Sequence, residues 1–350
     1  MKKNSLLFIV AILLFLSCTN KKSDPILPKP TGISNPSSPS NINLRTGTLS
    51  DSIWGNYPNP NNPTPNKHNE FFIRCYPYGA PRPLIITFHG GFFKYGDKKQ
   101  FDLPLNIGPV FKDLITVKYL ENNGFAYAGA NYRVLGNAAD PSDDNLRIKD
   151  CLNDCKAFVE YMRDNAVKYN IDPNKIIVMG YSAGASASLW LGLQNGAISG
   201  ITIKGIVALN TQSTLNITEW GTNVFSVNAP STGDYNNFYN SSTGKEFLIN
   251  SSLDYYGTTN VFEIYHNSKI NNLSLYNLID SNDPELYMAT DATTDAYGNA
   301  DIAHHYAHDL TLINRSIVEG HRAKILYTAR PLYVNPNFES VMQFCVRIFQ

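Results

Sequence analysis

Short apolar runs and amphipathic stretches alternate along the chain from about residue 69 onward. The runs predict strands at Glu70–Tyr76, Pro83–Phe88, Phe125–Ala130, Lys175–Met179, Ile203–Leu209, Glu285–Ala289 and Lys324–Thr328. Helices are predicted over Val110–Asn122, Ala185–Leu193, Ile302–Glu319 and Phe338–Phe349. The clearest helical signal follows Ser142, which reads as its N-cap. There Ile148, Leu152, Cys155, Val159, Met162 and Ala166 recur at alternating spacings of four and three, one face of a helix. Asp172-Pro173-Asn174 reads as a turn. Strands alternating with helices predict an α/β fold, a mostly parallel twisted sheet with helices on both faces.

Two regions break the pattern. Residues 19–50 are rich in Pro, Ser, Asn and Lys without apolar periodicity and read as a flexible tether. Asn56–Asn69, also rich in Pro and Asn, reads as a surface loop at the edge of the domain. Between Thr211 and Ile279 the chain is rich in Asn, Ser and Tyr, with two candidate helices at Lys245–Tyr256 and Asn260–Asn271. This stretch reads as a cap-like insertion, 211–279, within a domain of 51–350.

The N-terminus has a different signature. Lys2 and Lys3 precede an unbroken apolar run, Leu6–Leu16, which is too short to span a bilayer as a helix. Phe15-Leu16-Ser17-Cys18 follows and resembles a bacterial lipobox. The expectation is a signal peptide over 1–17, lipidation of Cys18, and an exported protein held at a membrane by its lipid, facing the periplasm or the cell surface. An ordinary signal peptide with an incidental cysteine is the alternative.

Composition narrows the partners. Apolar residues make up 43%, enough for a sizeable core, and the formal net charge is zero. Such a balance gives no electrostatic case for nucleic acid. An oxidising compartment would permit disulfides among Cys75, Cys151, Cys155 and Cys345. Cys151 and Cys155, four apart on one helix, are poorly placed to bridge each other and are expected to pack on its buried face. No Cys or His cluster has the spacing of a zinc site, so no metal or other cofactor is expected.

Two motifs carry chemistry. Gly180-Tyr181-Ser182-Ala183-Gly184 is a GxSxG sequence between a predicted strand and a predicted helix. A serine at a sharp strand-to-helix turn is pushed into the cleft, and glycines two residues away let the backbone pass close by. His89-Gly90-Gly91-Phe92 follows another strand and resembles the oxyanion loop of esterases and lipases. Asn131-Tyr132-Arg133 and Asp283-Pro284 resemble further signatures of hormone-sensitive-lipase-like esterases. Over residues 70–350 the chain resembles the α/β-hydrolase branch that holds small bacterial carboxylesterases, acetyl-xylan esterases and feruloyl esterases. The resemblance implies Ser182 as nucleophile and Gly90, Gly91 and Ala183 as oxyanion donors. It implies His89 as a structural residue and an acid after strand Glu285–Ala289. Asp291 is favoured there over Asp295. The implied substrates are short acyl or aromatic esters, including esters borne on polysaccharides.

The family's histidine is expected after the last strand, where this chain reads Ala329-Arg330-Pro331-Leu332-Tyr333-Val334-Asn335. No histidine stands there, and a neutral serine without a base is a poor nucleophile. Three readings remain open. Another histidine (His304, His305 or His266) serves Ser182; or the site is degenerate and binds an ester or glycan without turnover; or the fold is an interaction module with no ligand in this cleft.

Overall fold

The computed structural model describes residues 48–350 apart from 61, 65, 104, 106–114, 136–146, 195, 258–272, 291–300, 322–324 and 330–338. Eight strands form one sheet: β1 (Ile53–Asn56), β2 (Glu70–Arg74), β3 (Arg82–Phe88), β4 (Ala126–Ala130), β5 (Ile171–Tyr181), β6 (Ile203–Leu209), β7 (Glu285–Thr290) and β8 (Ile325–Ala329). Their order is β1-β2-β4-β3-β5-β6-β7-β8. The β1–β2 and β2–β4 pairs are antiparallel and all others parallel. The longer helices are α1 (Val117–Asn123), α2 (Ile148–Asp164), α3 (Ala183–Gly192), α4 (Asp234–Asn240), α5 (Ser242–Tyr256), α6 (Tyr306–Val318) and α7 (Val341–Phe349). This is the mostly parallel sheet expected from the alternation, in the α/β-hydrolase arrangement that the resemblance implies.

The period of two in the central strands sorts their side chains between two cores. Leu84, Ile86 and Phe88 of β3, Ile176 and Val178 of β5, Ile206 and Ala208 of β6, and Leu286 and Met288 of β7 enter one core. They meet the buried faces of α2, α3 and α6 there. Their neighbours Ile85, Ile177, Met179, Val207, Leu209, Tyr287 and Ala289 point the other way, onto Leu120 of α1 and Val341, Phe344 and Phe349 of α7. Every residue of β3 is buried, as a strand covered on both faces requires. Burying one such aliphatic side chain contributes about 1.5–3 kcal/mol.

Several boundaries differ from the sequence reading, each for a local reason. Strand β1 was not expected: it is four residues long and largely exposed, an edge strand without an apolar alternation. The Asn56–Asn69 loop is not a plain surface loop. Tyr57, Asn59, Asn62, His68 and Asn69 in it are buried, and Asn62 and Asn69 side chains bond each other at 2.7 Å. Strand β5 runs on through Asp172-Pro173-Asn174 with a register shift against β6 between Ile176 and Ile177. The turn chemistry survives as an Asp172 carboxylate accepting the Asn174 N–H at 2.9 Å. Helix α1 starts at Val117, capped by Thr116, rather than at Val110, and residues 110–114 lie outside the described residues. Helix α2 starts at Ile148, where the Asp150 carboxylate accepts the Arg147 N–H at 2.9 Å; Ser142 lies outside the described residues. Cys151 and Cys155 form no disulfide among the described residues and are buried on its inner face; Cys75 and Cys345 are likewise buried thiols elsewhere.

The expected single helix Ile302–Glu319 is broken in two. A 3₁₀ turn covers Ile302–His304, His305 stands in extended conformation, and α6 begins at Tyr306. Two side chains make the break. The Asp301 carboxylate caps the turn by accepting the His304 N–H at 3.2 Å. His305 Nδ1 caps α6 by accepting the Ala307 N–H at 3.1 Å. Helices α4 and α5 occupy the middle of the 211–279 stretch, and Asn260–Asn271 lies outside the described residues. No helix among the described residues is long and apolar enough to cross a membrane.

Candidate active site

Strand β5 ends at Tyr181 and α3 starts at Ala183, so Ser182 alone makes the reversal. It does so at φ 55°, ψ −119°, a conformation unfavourable for a residue with a Cβ. The flanking glycines explain how the reversal fits. A Cβ on Gly180 would lie 2.1 Å from the Gly184 backbone, and one on Gly184 would lie 2.0 Å from the Phe88 carbonyl oxygen. Any larger residue at either position would push the serine turn off the sheet. The Ser182 N–H donates to Leu209 O at 2.8 Å, anchoring the strained residue to β6.

An imidazole reaches Ser182 from the broken helix. His304 Nε2 lies 2.8 Å from Ser182 Oγ. His304 Nδ1 lies 2.7 Å from Asp301 Oδ2. A carboxylate can only accept, so the Asp301 contact places the imidazole proton on Nδ1. The Nε2 lone pair then faces Ser182 and accepts its hydroxyl hydrogen. Burial works to raise the Asp301 carboxyl. The His304 charge and hydrogen bonds from the His304 side chain and the His304 and Ala303 backbone outweigh it, so the group lies below the usual carboxylate range. Asp301 is therefore ionised as a partner for an imidazolium should be.

From the sequence, His304, His305 and His266 are the candidate substitutes for the missing histidine, and Asp291 or Asp295 the candidate acid. The structure brings His304 to the serine. His305 turns away: its Nε2 faces Asp234 Oδ2 on α4 at 3.3 Å, and its Nδ1 caps α6. His266, Asp291 and Asp295 lie outside the described residues, and the carboxylate on His304 is Asp301 instead. Asp301 went unnamed because the acid was sought next to the end of β7. Its signal was present nonetheless: an Asp three residues before a His at a helix start is an N-cap pattern, and here cap and acid are one residue.

The His89-Gly90-Gly91 loop lies against the nucleophile. A Cβ on Gly90 would sit 3.3 Å from Ser182 Cβ, and one on Gly91, at φ 110°, would sit 1.9 Å from Tyr95 O. The Gly90 N–H donates to Gln100 Oε1 across 3.3 Å, so this amide already has a partner of its own. His89 is a structural residue. Its Nδ1 donates to Gly90 O at 2.8 Å and its ring stacks on Tyr132 at 4.2 Å. Burial lowers it to about 4, so it is neutral at ordinary pH.

Asn131-Tyr132-Arg133 fixes the same loop from below. Asn131 Oδ1 accepts the Lys98 N–H at 2.6 Å, and the Tyr132 hydroxyl donates to His89 O at 2.6 Å. Arg133 forks onto the buried Asp154 of α2 at 2.7 and 2.8 Å. Helix α5 covers the outer side: Phe92 meets Phe247 and Tyr255 at 5.2 and 5.4 Å, and Lys94 pairs with Asp254 at 2.5 Å. Among the described residues no group of three or more His, Cys, Asp or Glu is arranged to hold a metal ion.

A strained serine between two glycines, facing an imidazole backed by a carboxylate, defines the α/β-hydrolase class by geometry as well as by strand order. The BD-FAE family model matches residues 77–297, well over half of the chain, and the chain belongs to that family. The match includes Ser182 and the His89 loop and stops short of Asp301 and His304. Esterase E4 and Esterase FE4 of Myzus persicae are each 33% identical over 106 residues, 30% of this chain but only 17% and 16% of theirs. The chain therefore spans about a sixth of the length of the curated relatives it matches. Among solved structures, a truncated carbohydrate esterase from gut microbiota superposes with a TM-score of 0.55 at 16% identity, covering 87% of this chain and 99% of that one. Esterase B from Lactobacillus rhamnosis gives 0.53 at 12% identity, over 85% and 81%. The esterase of Pyrobaculum calidifontis gives 0.53 at 14%, over 87% and 86%. At these identities the likeness shows the fold. Family and fold together support ester hydrolysis in general and leave the acyl group and the alcohol open.

Proposed function

We propose that the protein is a serine carboxylic-ester hydrolase with the triad Ser182, His304 and Asp301. The observation that carries the reading is the pair of contacts on His304, 2.8 Å to Ser182 Oγ and 2.7 Å to Asp301 Oδ2. Ser182 Oγ attacks the ester carbonyl carbon while its proton passes to His304 Nε2. The imidazolium, held by Asp301, then protonates the departing alkoxide as the carbonyl–oxygen bond breaks, leaving an acyl-serine. Water enters, loses a proton to the same nitrogen, and releases the carboxylic acid and the free serine. The oxyanion is received by the amides of Ala183, at the head of α3, and Gly91. Gly90 joins them only if its bond to Gln100 gives way.

The aromatic side chains near the His89 loop support a narrower substrate class within the same proposal. Phe92, Phe247 and Tyr255 beside the His89 loop favour short acyl or aromatic esters. The likeness to a carbohydrate esterase favours a glycan as the alcohol part. A non-catalytic binder was the competing reading because the position after the last strand lacks a histidine, and His304 beside Ser182 removes its motive. Hydrolysis of p-nitrophenyl acetate by the full chain and by Ser182→Ala tests the proposal. Loss of about 10⁴-fold or more in kcat is expected; equal rates would refute it.

Export and lipid anchoring at Cys18 are part of the same proposal, motivated by the Leu6–Leu16 run and the cysteine at its end. Cys18 lies outside the described residues. Labelling with an alkynyl fatty acid in a bacterial host, lost in Cys18→Ser, is the expected result; equal labelling of both would overturn the anchor.

A further inference from the structure

We propose that Gln212 is a positioning residue, the strut that sets the spacing between the nucleophile helix and the turn carrying His304. The inference rests on the Ser182–His304–Asp301 reading. Gln212 follows β6, is buried, and uses both ends of its carboxamide. Its Oε1 accepts the Ser186 hydroxyl at 2.8 Å, and its Nε2 donates to Ala303 O at 2.8 Å. Ser186 is one helical turn beyond the nucleophile, with its N–H on Ser182 O at 3.1 Å. A run of three hydrogen bonds thus leads from Ser182 through Ser186 and Gln212 to Ala303, the residue before the base.

The next residue repeats the device. The Ser213 N–H donates to His308 Nδ1 at 3.2 Å, and His308 Nε2 donates to Ile302 O at 3.2 Å. Both carbonyls preceding His304 are therefore held from the Gln212-Ser213 segment. The base needs this outside support. Its 3₁₀ turn is three residues long, and the backbone bond from His304 N to Asp301 O is a long 3.3 Å. Such a turn is not stiff by itself. A glutamine suits the place because the two neighbours are a hydroxyl that donates and a carbonyl that accepts, and a carboxamide serves both without charge.

The test measures kcat, KM and pH profile of the full chain with p-nitrophenyl acetate for Gln212→Met and Gln212→Glu beside Ser182→Ala and His304→Ala, with Tm for each. Gln212→Met keeps the volume and loses both bonds. It should lower kcat about 10–100-fold, the scale of a base displaced by part of an ångström to one ångström, with KM within about twofold. The Gln212→Glu variant regains a donor when protonated, so its kcat relative to Gln212→Met should rise as pH falls. A Gln212→Met kcat within twofold of wild type, with Ser182→Ala and His304→Ala inactive, would overturn the strut and leave the triad. Wild-type rates in His304→Ala would overturn both. If Gln212→Met fails to melt cooperatively, Ser186→Ala, which releases one end of the strut, takes its place. A kcat loss of about 3–10-fold at unchanged KM is then expected, and an unchanged kcat would overturn the proposal.

Discussion

The two halves of the site are built by different means. The serine turn is a backbone structure: Gly180 and Gly184 make room, and a register of strand hydrogen bonds ends in Ser182 N–H on Leu209 O. The His304 turn is a side-chain structure: Asp301, His308 and Gln212 hold three residues that have little stiffness of their own. The first kind of architecture demands particular residues at fixed spacing, because the cost of a Cβ at 2 Å from backbone cannot be relieved. The second can be assembled from residues far apart in the chain, and it can be assembled in more than one place on the same sheet. The difference explains why Ser182 sits where the family's motif puts it, while the imidazole beside it comes from the segment between β7 and α6.

The comparison can be broken most sharply on the serine side. Gly184→Ala places a methyl group 2.0 Å from Phe88 O, with backbone on both sides of the contact. We expect a destabilisation of about 3 kcal/mol and loss of turnover, read by chemical denaturation and p-nitrophenyl acetate hydrolysis. A variant of wild-type stability and rate would mean that the elbow is looser than its geometry.

On the base side, Asp301→Asn should lower kcat by about 10²–10⁴-fold at nearly unchanged KM, because an amide can present N–H to Nδ1 and favour the wrong tautomer. The cap is kept by an asparagine, so the turn itself should remain. Thermal stability close to wild type, with the activity lost, separates the acid's electrical role from its capping role. A full rate in this variant would move the acid elsewhere, with Asp291 and Asp295 the next to mutate.

How far the sequence carried this picture follows the same division. Seven of the strands and the outline of the helices were legible, because burial on one or both faces imposes an order of apolar and polar residues that the chain displays directly. Ser182 and the His89-Gly90-Gly91 loop were legible because glycine is irreplaceable there. The strand Ile53–Asn56 was not, since an exposed edge of four residues imposes no pattern. Asp301 was passed over for Asp291, and His304 stood as one of three candidates. Nothing local to Asp301-Ile302-Ala303-His304 announces that a glutamine ninety residues upstream will hold it against α3. The N-cap spacing was the available sign, and it reads equally well as plain helix capping.

The last expected effect is on stability alone, with turnover kept, and concerns the helix behind His304. Asp309 on α6 is fully buried, accepts the Thr290 hydroxyl on Oδ2, and has no partner for Oδ1 among the described residues. Burial raises its carboxyl from 3.8 to about 7, with the Thr290 bond opposing. A folded-state value above the unfolded one means that the folded protein binds the extra proton. Its contribution to stability is fully present below about pH 4 and is lost as pH climbs through about 7, by at most about 4 kcal/mol. Asp309→Asn should therefore match wild type near pH 4 and exceed it in stability at pH 8, measured by urea denaturation at each pH. A wild-type advantage that grows with pH would reverse the sign and contradict the burial argument.

The central claim is that His304 activates Ser182. The most direct measurement is the rate at which a fluorophosphonate labels Ser182 in wild type and in His304→Ala, with the labelled residue located by mass spectrometry. Labelling at Ser182 is expected in wild type, with a rate lower by about 10³-fold or more in the variant. Equal labelling of Ser182 in both proteins would show that the base lies elsewhere and contradict the account.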